Sequence, residues 1–567
     1  DLRRHSHEGP LVERLRFPLW ALFGAMLLFS WQAWNADRAR VAAVAPPAGV
    51  AAETVPALDE EGLPPLPASP QGGQPEEPAL QPSAAPSTGS VVRVLTDVLA
   101  VSISTSGGDL VEAELLGYAQ DKKNDAVKVR LLSAEPGGEY ILSTGLRAAD
   151  GRPEANHRER FSSARGEYRL DSGAEELVVP LTWSSGGITV TKRYRFQRGR
   201  YYIGVEQTVR NESGEDYAAA SYVLVHRAHR PPSRSMFDVD TYSFTGPVYY
   251  DGDSYDRMDP EDLADEPLSE TAVAGWVGSI QHHFVGAAIP EGTEPHQYDG
   301  RFADGSYRLS AIGPLRAVPP GGEQRYSSQL FVGPKLQTQL RETAPGLVLT
   351  VDYGIFTVFA QPLFWLLKTL FGFVGNWGWA IILATLIIKA VLFPLTEASG
   401  RSMARMRKLQ PRLKSIQERF KDDPQGRNRA MMELYKTEKV NPAAGCLPIF
   451  IQLPFFIAFY WVLVESVEIR QAPFLLWIND LSSRDPVFVL PALMGAAMFW
   501  QQKLNPKPPD PMQARIMTAM PVIFTVFFMF FPSGLVLYWL TNSVFSTLQQ
   551  WRINRRTEKA PKGRPAR

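Results

Sequence analysis

Residues 377–396 read WGWAIILATLIIKAVLFPLT. From Trp379 to Leu395 the side chains are apolar except Thr385 and Lys389. About 20 residues at about 1.5 Å each cross the hydrocarbon core of a bilayer, so the stretch is read as a membrane-crossing helix, 377–397. Thr385 and Lys389 are four apart and share one face. By helical rise Lys389 lies roughly 10 Å from the Glu397 end. An ammonium in lipid costs at least about 3 kcal/mol unless it snorkels to the interface or meets a partner or water. No carboxylate occurs between Trp377 and Thr396 or in the apolar runs that follow. The residues point to a hydrated, positively charged pocket inside a helix bundle.

The chain has 567 residues and a formal net charge of zero. Both that balance and the slightly negative mean hydropathy conceal a segregated pattern, with the long apolar runs near the N-terminus and after Gln361. The one cysteine, Cys446, excludes an internal disulfide framework and a Cys-based zinc site.

Upstream, residues 17–34 (FPLWALFGAMLLFSWQAW) form a run just long enough to span. Arg14 and Arg16 precede it, and Trp31 and Trp34 close it as an interfacial belt. The basic flank places the N-terminus (1–35 with its span) in the cytoplasm. Residues 36–90 are rich in Ala and Pro and poor in large apolar groups, so they are read as a disordered periplasmic linker. Residues 91–335 change to short runs with period-two alternation and turn signals, such as ITVTKRYRFQ, YYIGVEQTVRN and YAAASYVLVHR. They predict a large antiparallel β-sandwich. Adjacent His282 and His283 in a strand would face opposite ways, which argues against a shared metal. Residues 235–270, rich in Asp, Ser and Tyr, read as a surface excursion. Residues 336–376 read as a polar linker helix followed by an amphipathic helix on the outer membrane surface, its apolar run interrupted by Gln361-Pro362 and Lys368.

After the opening stretch, 398–440 is strongly basic, with Arg401, Arg405, Arg407, Lys408, Arg412 and Lys414 in its first half. Met406, Leu409, Leu413, Ile416 and Phe420 follow a 3-4-3-4 spacing, and the Asp422-Asp423-Pro424 break precedes a second run. A cytoplasmic helical hairpin is the economical reading. Its basic face suits anionic lipid or ribosomal phosphates as well as a solvated loop. Further spans are read at 443–464, 487–503, 514–531 and 535–551, before a basic tail, 552–567. Six spans with both termini inside satisfy every basic flank. Within these runs Thr385, Gln452, Thr525, Thr541, Asn542, Ser543 and Ser546 are polar. Such groups face a bundle interior or cavity, unless a hydroxyl bonds its own helix's carbonyl.

Several stretches resemble the YidC/Oxa/Alb family of membrane protein insertases in its Gram-negative form. They are VDYG 351–354, QPLF 361–364, VGNWG 374–378, FPLT 393–396, KLQP 408–411, EKVNP 438–442, GCLP 445–448, RQAPF 470–474, DPMQ 510–513, MPVIFTVFF 520–528, FPSGLVLYW 531–539 and GWVGSIQHHF 275–284. The resemblance covers nearly the whole chain except 36–90. It implies a polytopic α-helical membrane protein with six transmembrane helices. Five of them form a core at 377–551, joined to a periplasmic β-sandwich and a cytoplasmic helical hairpin. It also implies a groove open to cytoplasm and lipid that carries one cation, usually arginine and here Lys389. Thr385 takes the position of a substrate-contacting threonine. Trp539, beside Tyr538, takes that of a substrate-contacting tyrosine. With the polar residues Gln452, Thr525 and Asn542 these complete the expected groove. The partners implied are nascent membrane proteins, the Sec translocon with its accessory subunits, the ribosome through the basic hairpin and tail, and anionic lipids. No cofactor, metal or catalysis is implied. Two rivals are a small-solute transporter or channel and a passive anchor for a binding β domain. Against the first, no inverted repeat is visible; against the second, an anchor needs only one span.

Overall fold

The computed structural model describes residues 63–66, 90–122, 124–230, 243–421, 423–438, 440, 447–504 and 511–559. The N-terminal span 17–34, most of 36–90, Cys446 and the tail beyond Lys559 lie outside the described residues.

Residues 91–334 build two facing sheets. The first runs from Leu268–Ala272 through His296–Ala303, Ser306–Ile312, Tyr217–Ala228, Tyr140–Ala148, Leu110–Asp121, Leu99–Ser104 and Val91–Leu95 to Glu167–Arg169. Asn124–Leu132 and Arg316–Val318 pair beside this path. The second runs from Tyr255–Arg257 through Thr245–Tyr250, Trp276–Gln281, Phe284–Pro290, Glu323–Pro334, Tyr202–Asn211 and Ile188–Gln197 to Glu176–Ser185. Pairing is antiparallel throughout except where Val91–Leu95 meets Glu167–Arg169 in parallel. Alternation dictates the layering: along Ile188–Gln197 the residues Ile188, Val190, Tyr194 and Phe196 point inward and are buried.

Two expectations are corrected by the fold. The supposed surface excursion supplies an edge strand to each sheet, Leu268–Ala272 to the first and Tyr255–Arg257 to the second, and Thr245–Tyr250 lies just inside the latter. Its tyrosines carry this role, since Tyr249 and Tyr250 are buried. The histidine pair is not in a strand. His282 and His283 form the two-residue turn between Trp276–Gln281 and Phe284–Pro290. Their rings stack with centroids 3.7 Å apart. Among the described residues no group of three metal-binding side chains exists.

After a short helix, Gln337–Thr343, the chain becomes helical: α1 Thr357–Val374, α2 Trp377–Val391, α3 Phe393–Arg419, α4 Pro424–Thr437, α5 Leu447–Glu465, α6 Val489–Leu504, α7 Pro511–Phe528 and α8 Ser533–Lys559. α1 runs through Pro362 as one continuous helix. It buries Ala360, Leu363, Phe364 and Leu367, a helical stripe, and exposes Val358, Trp365 and Phe373. Among the described residues, Gly354–Val374 is the one helical segment that alone is long and apolar enough to cross a membrane. α2 and α3 pass that test together but meet at a 70° bend, and Gln452–Glu465 and Ala514–Phe528 are shorter apolar helices. In α3 and α4, Met406, Leu409, Leu413, Met431, Leu434 and Tyr435 gather into a cluster with Val440.

The sandwich is fastened to the helices by a buried polar seam at the outer end of α5. Lys335 Nζ lies 2.9 Å from Glu465 Oε2, and both side chains are almost sealed from solvent. Ser243 Oγ donates to the other carboxylate oxygen at 2.7 Å. His282 Nε2 donates to Val464 O at 2.9 Å. Arg470 Nη2 reaches Ala119 O at 2.9 Å. His282 has φ +47°, a conformation uncommon for a side chain with Cβ, and this seam holds it there.

Candidate functional site

α2 starts at an Asn376 cap, whose side chain accepts from Trp379 N at 3.2 Å. It stops at Leu392 because Pro394, lacking an N–H, cannot continue the ladder to Ala390. The 70° bend follows. The helix itself ends before Glu397: Phe393–Thr396 belong to α3. Lys389 falls in the last turn of α2, where the helix's free carbonyl ends favour a cation.

Lys389 Nζ donates to Ser546 Oγ on α8 at 2.7 Å. Among the described residues no carboxylate pairs with it. Beside it opens a cavity of about 290 Å³. α8 lines one wall with Asn542, Ser543, Ser546, Gln549 and Gln550, and α3, α5 and α6 contribute Thr396, Ser399, Gln452 and Gln501. The polar side chains of α8 recur at 542, 546 and 549–550, one face of a helix. Gln549 Nε2 donates to Thr396 Oγ1 at 3.0 Å, tying α8 to α3. Gln452 Nε2 is buried and has no hydrogen-bond partner among the described residues, so it is a donor available to whatever fills the space. Met403, Leu453, Phe456 and Met498 complete a mixed lining, whose polar side chains can bond several waters.

On the other side of Lys389 the space narrows to a notch of about 20 Å³ lined by Thr385, Tyr538 and Asn542. Beyond it the bundle is solid. Ile381, Ala384, Phe459, Leu463, Leu535 and Val536 are fully buried there, and Tyr538 stacks on Phe459 with centroids 4.6 Å apart. This apolar layer separates the cavity from the seam that carries the sandwich.

Of the residues expected in the groove, Lys389, Gln452, Asn542 and Trp539 line the cavity, and Thr385 and Tyr538 line the notch. Trp539 packs its ring edge-on against Phe456, centroids 5.0 Å apart. Thr525 stands apart. Its Oγ1 donates to Pro521 O at 2.7 Å, and it faces Gly495 of α6, where a methyl group would sit 2.0 Å from that oxygen. Thr385 and Thr541 likewise donate to carbonyls four residues back, at 2.7 and 2.8 Å. Gln549, Gln550, Gln501, Thr396 and Ser399 are not among the residues expected to face a cavity, whereas Ser546 is. The spacing of the α8 side chains was the available signal.

On α3, Arg401, Arg405, Lys408, Arg412 and Lys414 are exposed and Arg407 is half-buried, while Leu409 and Leu413 are buried. Arg401 pairs with Glu397 at 2.8 Å and Arg412 with Glu438. The others leave a basic surface.

The chain thus seats a β-sandwich on a helical region that holds a cavity beside a buried cation. The family models agree: residues 91–366 match the YidC periplasmic domain, and 369–560 match the 60Kd inner membrane protein. The chain is 49% identical to the membrane protein insertase YidC of Methylococcus capsulatus, over 82% of this chain and 86% of that one. It is 44% identical to that of Thioalkalivibrio sulfidiphilus, over 97% and 100%. A solved active YidC insertase with its first transmembrane domain resolved is 20% identical, with a TM-score of 0.37, over 82% of this chain and 92% of that one. The chain belongs to the YidC family of membrane protein insertases.

Proposed function

We propose that the chain inserts nascent integral proteins into the inner membrane through the cavity beside Lys389. The observation that carries this reading is an ammonium held, among the described residues, by a neutral hydroxyl, at the end of a cavity with several polar side chains that stops against apolar packing. An acidic, hydrated tail on an incoming segment must leave water to cross lipid. A wet recess lowers that desolvation cost over part of the membrane. Lys389 attracts the tail's carboxylates transiently. The hydrophobic segment then passes sideways into lipid, where burial of about 25 cal/mol per Å² drives it. No bond is made or broken.

In this reading α2, α5, α6, α7 and α8 are spans, and the N-terminal run 17–34 is a sixth. Large apolar side chains on their outward faces support it, including Ile387, Trp500, Val522, Phe527 and Leu548. α1 lies on the outer surface, since its Lys368 Nζ reaches back to Thr338 Oγ1 at 2.8 Å beside the sandwich. Both termini, α3 and α4 are cytoplasmic. The basic face of α3 and the tail recruit ribosomes or anionic lipid, and the sandwich meets the Sec translocon's accessory subunits.

The test uses the reconstituted chain in sealed liposomes, given a single-span substrate with a short acidic tail. Protease protection of the tail without ion leakage is expected. Solute flux without protection would establish the channel reading instead.

A further inference from the structure

The 36–90 stretch, read from composition as unable to fold, contains a docked segment. Leu63 and Pro64 are buried against the outer face of the first sheet. Leu63 is only 4% exposed and sits among Ala220, Tyr222, Leu224 and Ile312. Arg147 Nη1 donates to Pro64 O at 2.7 Å, and its Nε is held by Glu154 at 3.1 Å.

The sheet is built for this contact. Along Tyr217–Ala228 the residues Ala219, Val223 and Val225 point into the sandwich core. Ala220, Tyr222 and Leu224 occupy the opposite phase. A sheet with one wet face would carry polar residues there. Tyr222 lies across Gly145 of the neighbouring strand, where a methyl group would come within 2.5 Å of its hydroxyl. The outer face therefore presents a flat aromatic and aliphatic platform with one fixed guanidinium donor at its side.

The occupant's chemistry matches. Leu63-Pro64-Pro65-Leu66-Pro67 favours an extended polyproline conformation, and its prolines leave carbonyls as the backbone's chief polar groups. An aromatic platform plus a donor aimed at a carbonyl is how such segments are recognised.

We propose that this outer face is a docking site for extended, proline-containing apolar segments, occupied in cis by Leu63–Leu66 and open to the same chemistry in trans when that segment releases. A tethered occupant acts at a high effective concentration, so the intact chain masks the site from added peptide.

The test uses the full chain in detergent and a fluorescent peptide copying residues 59–70. Anisotropy reports binding to the parent and to a Leu63→Asp chain, whose change lies outside the sheets. The released chain is expected to bind the peptide at least about tenfold more tightly than the parent. Arg147→Ala added to it should weaken binding, and a peptide carrying Leu63→Asp should not bind. Equal binding to parent and released chains, no binding to either, or indifference to the altered peptide would overturn the proposal.

Discussion

Lys335 and Glu465, 130 residues apart in sequence, meet at 2.9 Å in a seam that admits almost no solvent. The pair joins the last strand of the sandwich to the outer end of α5. Removing one member of a buried pair leaves the other charge without compensation, which costs about 3–5 kcal/mol. Glu465→Gln and Lys335→Met are each expected to loosen the sandwich from the helices, seen as faster hydrogen exchange in residues 464–471. The double variant Lys335→Met, Glu465→Leu should recover most of the loss, because apolar replacements of similar volume leave no orphaned charge. Silent single variants would show that the seam is not held by this pair.

A second buried charge lies inside the sandwich. Lys192 Nζ donates to Gly107 O and Thr144 O at 2.8 and 2.6 Å, and burial lowers its pKa to about 8 against the pull of Asp109. Burial lifts the Asp109 carboxyl from 3.8 to about 7, opposed by the Lys192 charge and a hydrogen bond from Ser143. A carboxyl raised in the folded state favours folding while protonated. Its contribution is therefore full below the unfolded value of 3.8 and is lost as pH climbs toward about 7. Asp109→Asn is expected to flatten this decline between those values, measured as the thermal midpoint of the sandwich. Superimposable pH profiles would contradict the assignment.

Thr525 is a packing residue at the α6–α7 contact. Gly495→Ala drives a methyl into its hydroxyl and should cost about 1–3 kcal/mol. Adding Thr525→Ala should restore stability, while Thr525→Ala alone should leave insertion unchanged. A specific insertion defect in the single variant would return Thr525 to the groove.

Much of this architecture is legible in the order of the amino acids. The strands at 188–197 and 201–211 announce themselves by alternation, and α2, α5 and α8 by apolar length. What escapes does so for physical reasons. Tyr217–Ala228 buries both phases, so its pattern does not reveal which face holds the core. The strands in 245–272 are short and set in a stretch rich in Asp, the composition of loops. Pro394 ends α2 through a missing donor, and apolar periodicity does not register that. The fastening of His282 to Val464 joins segments 182 residues apart, beyond any local pattern. Within the site, a threonine in an apolar run reads the same whether it faces a cavity or bonds its own helix. Only the packing of the helices separates Thr525 from Asn542. The Leu63–Leu66 contact is hidden by the composition of the stretch around it.

The proposed route through this cavity requires the Lys389 charge to act on acidic groups of an incoming tail. At about 4 Å and an effective dielectric near 20, a unit charge pair is worth about 4 kcal/mol. The most direct measurement is insertion into liposomes by the parent, Lys389→Arg, Lys389→Gln and Lys389→Glu chains, each given substrates with acidic and with neutral tails. Lys389→Arg is expected to match the parent, and Lys389→Glu to lose at least about tenfold on acidic tails while keeping neutral ones. Equal insertion of acidic tails by Lys389→Glu and the parent would contradict the electrostatic step.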